Sequence, residues 1–324
     1  MRTRLLLAVA GLGVLTPPVH ADDRALALVK MPYRGERNLP DLSDSPDYLE
    51  KGGIQKVLEG QGLRLKPIST VALSPEDQKA YGEWNRLGLA NGRLAQIVAA
   101  DRKEGYVPVG LLANCSSILG MLGGLQRSGP TGRPLRVGMV FIDAHGDFNT
   151  PETTLSGMLG GMPVAVSAGM CLSRLRVKSG LDPALAEKLI VLGAVRDTDP
   201  LEQDLIDRSA VEQLSVADIR ARSPNIDRQM KRLSELADVI YVHVDMDVLD
   251  PKEVAGHPLT VPGGPTSLEL GAALTQMFQH EKAAAFGVAS TPSGDRDADG
   301  KSRQAAYNLI LGVVKGLQQR GSAR

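Results

Sequence analysis

The chain has 324 residues, 43% of them hydrophobic, enough for one large α/β domain with a substantial core. Lysine plus arginine and aspartate plus glutamate stand at 37 each, so no charge imbalance directs it to nucleic acid or to an anionic membrane. Only 3% of residues are aromatic, which argues against an extended stacking surface for bases or sugars.

The N-terminus is set apart. Met1-Arg-Thr-Arg4 is a positive start, Leu5 to Leu15 is apolar, and Val19-His20-Ala21 has the form of a small-residue cleavage site. Residues 1–21 therefore read as a secretory signal peptide, too short for a stable membrane span. The expected mature chain is a single domain over 22–324, periplasmic or secreted, with no membrane contact after cleavage. In an oxidising compartment Cys115 and Cys171 are open to either a disulfide or two free thiols.

Ala25 to Met31 reads as the first strand, followed by a loop rich in Pro, Gly and charge over Tyr33 to Asp47. Ser45 to Gly60 reads as a short helix and Leu63 to Val71 as an edge strand. Ser74-Pro-Glu-Asp77 starts a helix, with Ser as cap and Pro at the first position, that runs to Glu104 with a break near Gly88. Tyr106 to Ala113 is the next strand and Ile118 to Gln126 the next helix. Val164 to Ala168 reads as helix, Leu189 to Val195 as strand and Ser215 to Leu236 as one long amphipathic helix. Thr266 to Gln279 opens with a capping-box pattern, and His280 at its end falls where a cation is favoured. Ala283 to Ala289 is the last strand, Gly294 to Ser302 a flexible acidic loop, and Gln304 to Gln319 the closing helix. This alternation predicts an α/β fold of three layers, helices on both faces of a mostly parallel sheet, with the site at the strands' C-terminal ends.

Two stretches carry chemistry. The apolar run Val137 to Ile142 leads into Asp143, His145 and Asp147, separated only by Ala144 and Gly146, so nothing bulky crowds an ion. Farther on, the run from Ala237 ends in His243, Asp245 and Asp247, with Asp250-Pro251 as the closing turn. Alternate positions of an extended chain share a face. Two such strands side by side would gather four or more carboxylates, a cluster that repels itself unless cations hold it, and two metals suit it better than one. Asp and His together suit Mn²⁺, Fe²⁺, Co²⁺ or Zn²⁺.

These stretches resemble the arginase/agmatinase family of binuclear manganese ureohydrolases. The family's Asp-Ala-His-x-Asp-x-Asn motif stands here as Asp143 to Asn149, and its Asp-x-Asp-x-x-Asp-Pro motif as Asp245 to Pro251. The resemblance implies hydrolysis of a C–N bond in a guanidino, amidino or formimino small molecule, with a urea- or ammonia-type product. It implies two Mn²⁺ per chain, with Zn²⁺, Fe²⁺ or Co²⁺ as alternatives, and a homotrimer or hexamer. One metal would be held by Asp143, His145, Asp245 and Asp247, the other by Cys115, Asp143, Asp147 and Asp245. Asp147 would also accept hydrogen bonds from the attacking water, and Asn149, Ser156, Asp199 and His257 would meet the substrate.

The sequence departs from the family at four places. Cys115 replaces a ligand His, a softer donor that favours Zn²⁺ or Fe²⁺ over Mn²⁺. Met158 replaces a substrate-binding Asn, Gly160 a proton-shuttle His, and Ser290 a guanidinium-binding Glu. His243 is read as a catalytic relay or ligand making good one of these losses. The rival reading is a catalytically silent, metal-binding relative.

Overall fold

The computed structural model describes residues 25–33, 42–130 and 133–322. The signal segment read over residues 1–21, and most of the loop read over Tyr33 to Asp47, lie outside them. Among the described residues nine strands form one sheet: β1 (Ala25–Met31), β2 (Arg64–Leu65), β3 (Ser69–Thr70), β4 (Val107–Leu112), β5 (Val137–Ile142), β6 (Ile190–Gly193), β7 (Glu212–Leu214), β8 (Val239–Asp245) and β9 (Ala283–Ala289). Their order is β2-β1-β4-β9-β8-β5-β6-β7, with β3 beside β1, and every pairing is parallel.

The sequence of the central strands explains why the sheet is covered on both sides. β1, β4, β5 and β9 are buried at every position, as a parallel sheet under two helical layers requires. Alternate residues feed opposite cores. Val140, Ile142 and Val242 pack with the helices Pro224–Leu236, Ser267–Phe278 and Lys301–Ser322. Met139, Phe141 and Tyr241 pack with Glu83–Lys103 and Ile118–Gln126. A Cβ on Gly312 would lie 2.2 Å from the Gly271 carbonyl, so two of these helices meet backbone to backbone. The three-layer α/β fold expected from the alternation is the one observed. Among the described residues no helix is long and apolar enough to cross a membrane.

Several boundaries differ from expectation, each for a local reason. The helix expected over Ser45 to Gly60 divides into Ser45–Lys51 and Ile54–Glu59 at Gly52-Gly53, where Gly53 takes φ +95°. The break expected near Gly88 falls earlier, between Pro75–Lys79 and Glu83–Lys103, at Gly82 with φ +86°. The long helix expected over Ser215 to Leu236 becomes Val216–Ala221 and Pro224–Leu236. Pro224 cannot continue the donor ladder, and the Ser223 hydroxyl caps the new start by accepting from Asn225 N. The edge strand over Leu63 to Val71 is reduced to β2 and β3, on either side of Pro67.

The stretch Gly294 to Ser302 is no flexible loop. It forms a short 3-10 turn, and buried Asp297 caps the last helix by accepting from Ser302 N at 2.8 Å and Arg303 N at 2.9 Å. The Tyr48 hydroxyl donates to the same carboxylate. The capping box of Thr266 and Glu269 and the cap by Ser74 are both present. Cys115 and Cys171 are both free thiols.

Candidate metal centre

The C-terminal ends of β4, β9, β8 and β5 stand side by side, because Leu112 pairs with Ala289, Ala289 with Asp245 and Val244 with Ile142. A cavity of about 320 Å³ opens there. Beyond β5 the chain turns at once. Asp143 Oδ1 accepts from His145 N at 2.8 Å, and Asp147 adopts φ +46° while its carbonyl accepts from Val164 N. Beyond β8, Asp245 Oδ1 accepts from Asp247 N at 3.0 Å, and a 3-10 turn over Met246–Val248 swings the Asp247 carboxylate back to Ala144 N. Beyond β4, Asn114 Oδ1 accepts from Ser116 N and presents Cys115 at the start of a helix. Tight turns, rather than an extended chain, gather the acids.

The donor atoms converge in three triads whose members lie within 4.8 Å of one another: Cys115/Asp143/Asp245, Asp143/His145/Asp247 and Asp245/Asp247/His257. Cys115 Sγ is 2.7 Å from Asp245 Oδ2 and 3.7 Å from Asp143 Oδ2. His145 Nδ1 is 3.3 Å from Asp143 Oδ1 and 3.2 Å from Asp247 Oδ2. Asp147 lines the same buried cavity but stands outside the triads.

The electrostatics follow from packing like charges out of water. Burial, then the Asp143 charge, pushes Asp147 and Asp247 far above the carboxylate range and Asp245 up to about 7. Burial opposes the charge on His145, but hydrogen bonds to Asp143 and Asp247 outweigh it and hold His145 at about 12. Asp143 alone is lowered, its burial outweighed by His145, since one imidazolium steadies one carboxylate and leaves the rest uncompensated. Burial and the Asp245 and Asp143 charges raise the Cys115 thiol as well. Among the described residues no Lys or Arg lines the cavity.

The residues read as substrate contacts take up places around this cluster. Asn149 Nδ2 donates to Asp199 Oδ2 at 3.2 Å, and Asp199 also accepts from Leu155 N while capping the helix Pro200–Arg208. Ser156 lines the exposed mouth. His257 is buried in the wall, its Nδ1 accepting from Leu259 N. Its Nε2 has no hydrogen-bond partner and points at Asp245 Oδ1, 3.7 Å away. Met158, Gly160 and Ser290 line the cavity too. His243 does not. It is fully buried behind Cys115, stacked on Phe141 at 5.1 Å, with Nε2 3.2 Å from Cys115 Sγ. His243 and Asp245 share a face of β8, whereas Asp247 belongs to the turn that follows, so the three form no single stripe.

A sequence profile described as the Arginase family matches residues 26–314. The chain belongs to the arginase family. It is 32% identical over 246 residues to an arginase of Brevibacillus brevis, covering 73% of this chain and 79% of that one. It is 28% identical over 275 residues to human mitochondrial arginase-2, covering 79% and 73%. Among solved structures, Bacillus subtilis arginase superposes with a TM-score of 0.77 at 22% identity, covering 90% of this chain and 98% of that one. Bacillus subtilis formimidoylglutamase superposes with a TM-score of 0.68 at 18% identity, covering 96% of each.

Three supporting contacts of this arginase-family site went unread in the sequence. Glu202, buried beneath the Asp143 loop, accepts from Phe148 N at 2.8 Å and from Asp199 N at 3.2 Å. Its signal was present in Asp199-Pro-Leu-Glu202, a capping-box spacing. Arg196 donates to the carbonyls of Val248, Val261 and Pro262, pinning the loop that carries His257. Ser290, at φ +63°, donates to Asp245 Oδ2 at 2.6 Å; no spacing rule points to that contact.

Proposed function

We propose that this chain is a metal-dependent hydrolase of a guanidino compound, or of a related amidino or formimino one, that works outside the cytoplasm. The observation that carries the reading is the buried convergence of Cys115, Asp143, Asp245 and Asp247 around a single imidazolium, His145, with no Lys or Arg among the described lining residues to balance the remaining acids. The donor set fits divalent metal: hard carboxylates and one imidazole on one side, a thiol on the other. His145, Asp143, Asp245 and Asp247 would hold one ion, and Cys115, Asp143, Asp245 and Asp147 the other. Ions bound there would activate a water and polarise the carbon it attacks.

The remaining steps belong to the chain. Asp147, which lines the cavity, would be ionised once cations are bound and would then take a proton at its carboxylate from the attacking water. His257 is held neutral by burial, at about 4, and Leu259 N occupies its Nδ1, so its Nε2–H is the donor facing the reacting group. Asp199 and Asp197, at the mouth, attract a substrate cation. Among the described residues the cavity is walled by Met158, Leu259 and Leu42 and by no Lys or Arg, and Asp197 and Asp199 stand at its mouth, so the reading favours a cationic substrate. The leader-like residues 1–21 support export.

Gly160 and Ser290, in place of a shuttle His and a guanidinium-binding Glu in the family pattern, favour a second reading, a silent metal-binding relative. Elemental analysis of the purified protein separates the two when run beside a urea and ammonia release screen over guanidino compounds with Mn²⁺, Zn²⁺ or Fe²⁺ added. About two metals per chain with metal-dependent release support the hydrolase. Bound metal without release from any compound supports the silent relative, and no bound metal overturns both.

A further inference from the structure

Behind Cys115 lies a chain of buried polar atoms, from Tyr241 and His243, residues that are not among those lining the metal-centre cavity. Tyr241 Oη is 2.9 Å from His243 Nδ1, and His243 Nε2 is 3.2 Å from Cys115 Sγ. Both side chains are fully buried in the sheet, so every proton in the chain needs a partner inside the protein. The hydrogens can be placed by counting. Cys115 Sγ sits 2.7 Å from Asp245 Oδ2, a contact that requires the thiol proton between them. The thiol proton is then not available to His243, so the sulfur must accept from Nε2–H. The Tyr241 hydroxyl, with His243 Nδ1 as its hydrogen-bond partner, donates to it if the ring is neutral and accepts from it if the ring is charged. In either state Nε2 carries a proton aimed at sulfur.

The surrounding sequence makes room for this arrangement. A Cβ on Gly287 of β9 would fall 2.2 Å from Tyr241 Oη and 3.2 Å from His243 Nδ1, so only glycine leaves space for the hydroxyl. Phe141 stacks on the imidazole within 6° of parallel and fixes its plane.

We propose that Tyr241 and His243 are positioning residues for the Cys115 sulfur: an N–H hydrogen bond from His243, its direction set by Tyr241, holds that sulfur toward Asp143 and Asp245 and sets the preference of this metal position for thiophilic ions. The inference rests on the reading of Cys115 as a ligand. Partners one bond removed from a ligand fix its orientation and basicity, and their loss typically costs about 10- to 100-fold in metal affinity. A donor to a ligating sulfur also tunes its electron donation.

The test is metal binding to the full-length mature protein, read by Zn²⁺ and Mn²⁺ titration and by the near-ultraviolet sulfur-to-cobalt charge-transfer band of the Co²⁺-loaded form. Tyr241→Phe, nearly isosteric, should lower Zn²⁺ affinity by about 10- to 100-fold, shift the band and reduce the Zn²⁺ over Mn²⁺ preference. His243→Leu should do the same, and His243→Gln, whose amide N–H reaches the place of Nε2–H, should retain the wild-type band. A purely structural role would lower the melting temperature of these variants and leave the band and the metal preference unmoved. That result, with Cys115→Ser abolishing the band, overturns the positioning role alone. A wild-type protein with no such band, and Zn²⁺ affinity unchanged in Cys115→Ser, overturns the ligand reading beneath it.

Discussion

Glu202 is the residue whose removal tests whether the site is held in shape from below. Its carboxylate is buried, accepts from Phe148 N at 2.8 Å and from Asp199 N at 3.2 Å, and lies close enough under Gly146 that a Cβ there would meet Oε1 at 2.7 Å. It thus ties the loop carrying Asp143 to Asp147 to the helix capped by Asp199. Glu202→Gln keeps one acceptor oxygen and turns an amide donor toward the other N–H, at a cost of about 2 kcal/mol. Glu202→Ala removes both acceptors, leaves two inward N–H groups unpaired and opens a void, for about 4 kcal/mol. At about 2–4 °C per kcal/mol, the alanine variant should melt roughly 8–16 °C lower. Because Asp147 adjoins Phe148, metal affinity should also fall by about 10- to 100-fold. Urea unfolding of the metal-free protein gives the first quantity and calorimetric titration with Zn²⁺ or Mn²⁺ the second. A glutamine variant within about 0.5 kcal/mol of wild type, with unchanged affinity, would refute the argument.

Asp147→Asn should raise the melting temperature of the metal-free protein, since burial and Asp143 already disfavour its charged form, while lowering the metal content found by elemental analysis. Stripping metal with a chelator should lower the melting temperature, and ion at 100 times its Kd should restore about 2.7 kcal/mol by mass action. Asp245 in the metal-free protein is held at about 7, so protons compete with metal below that pH. Titrations at stepped pH should show affinity falling by about tenfold or more per unit as the pH drops through 7, and still rising above 7, because Asp147, Asp247 and Cys115 must also lose their protons to bind metal. Cys115→His should shift selectivity from Zn²⁺ toward Mn²⁺ in competition titrations, because the softest donor is replaced by a borderline one.

What was legible in the sequence was what short-range chemistry determines. β1, β5 and β9 could be bounded from their apolar runs alone, and the capping box at Thr266 from four residues. Asp143, His145, Asp245 and Asp247 could be assigned to one place because each follows a strand of a parallel sheet, whose C-terminal ends share an edge. The geometry among them was not legible. Alternation placed His243 with Asp245 and Asp247, but the Asp245 carboxylate folds back onto Asp247 N and starts a turn, so Asp247 leaves the stripe. The position of His243 behind Cys115 depends on β4 and β8 flanking β9, a long-range adjacency. Asp297 lay in a stretch so polar that it resembled a flexible loop. Its partners Tyr48, Ser302 and Arg303 come from two helices, one of them far away in the chain.

The carboxylates are also oriented before any cation arrives. Asp143 accepts from His145 N, Asp245 from Asp247 N and from the Ser290 hydroxyl, and Asp247 faces Ala144 N. At Asp143 and Asp247 these bonds engage Oδ1, and at Asp245 they engage both oxygens, Oδ1 by Asp247 N and Oδ2 by Ser290. Asp147 and Ser290 are held at positive φ, a conformation that costs roughly 1 kcal/mol or more at a residue other than glycine. The chain therefore stores strain and charge repulsion at the C-terminal ends of the mostly apolar strands β4, β5, β8 and β9. Selection for stability alone would remove both: asparagine would relieve the repulsion and glycine the strain. Their joint presence, backed by buried Glu202 and by the loop that Arg196 pins, is the arrangement expected of a site preorganised for a ligand that supplies the missing positive charge.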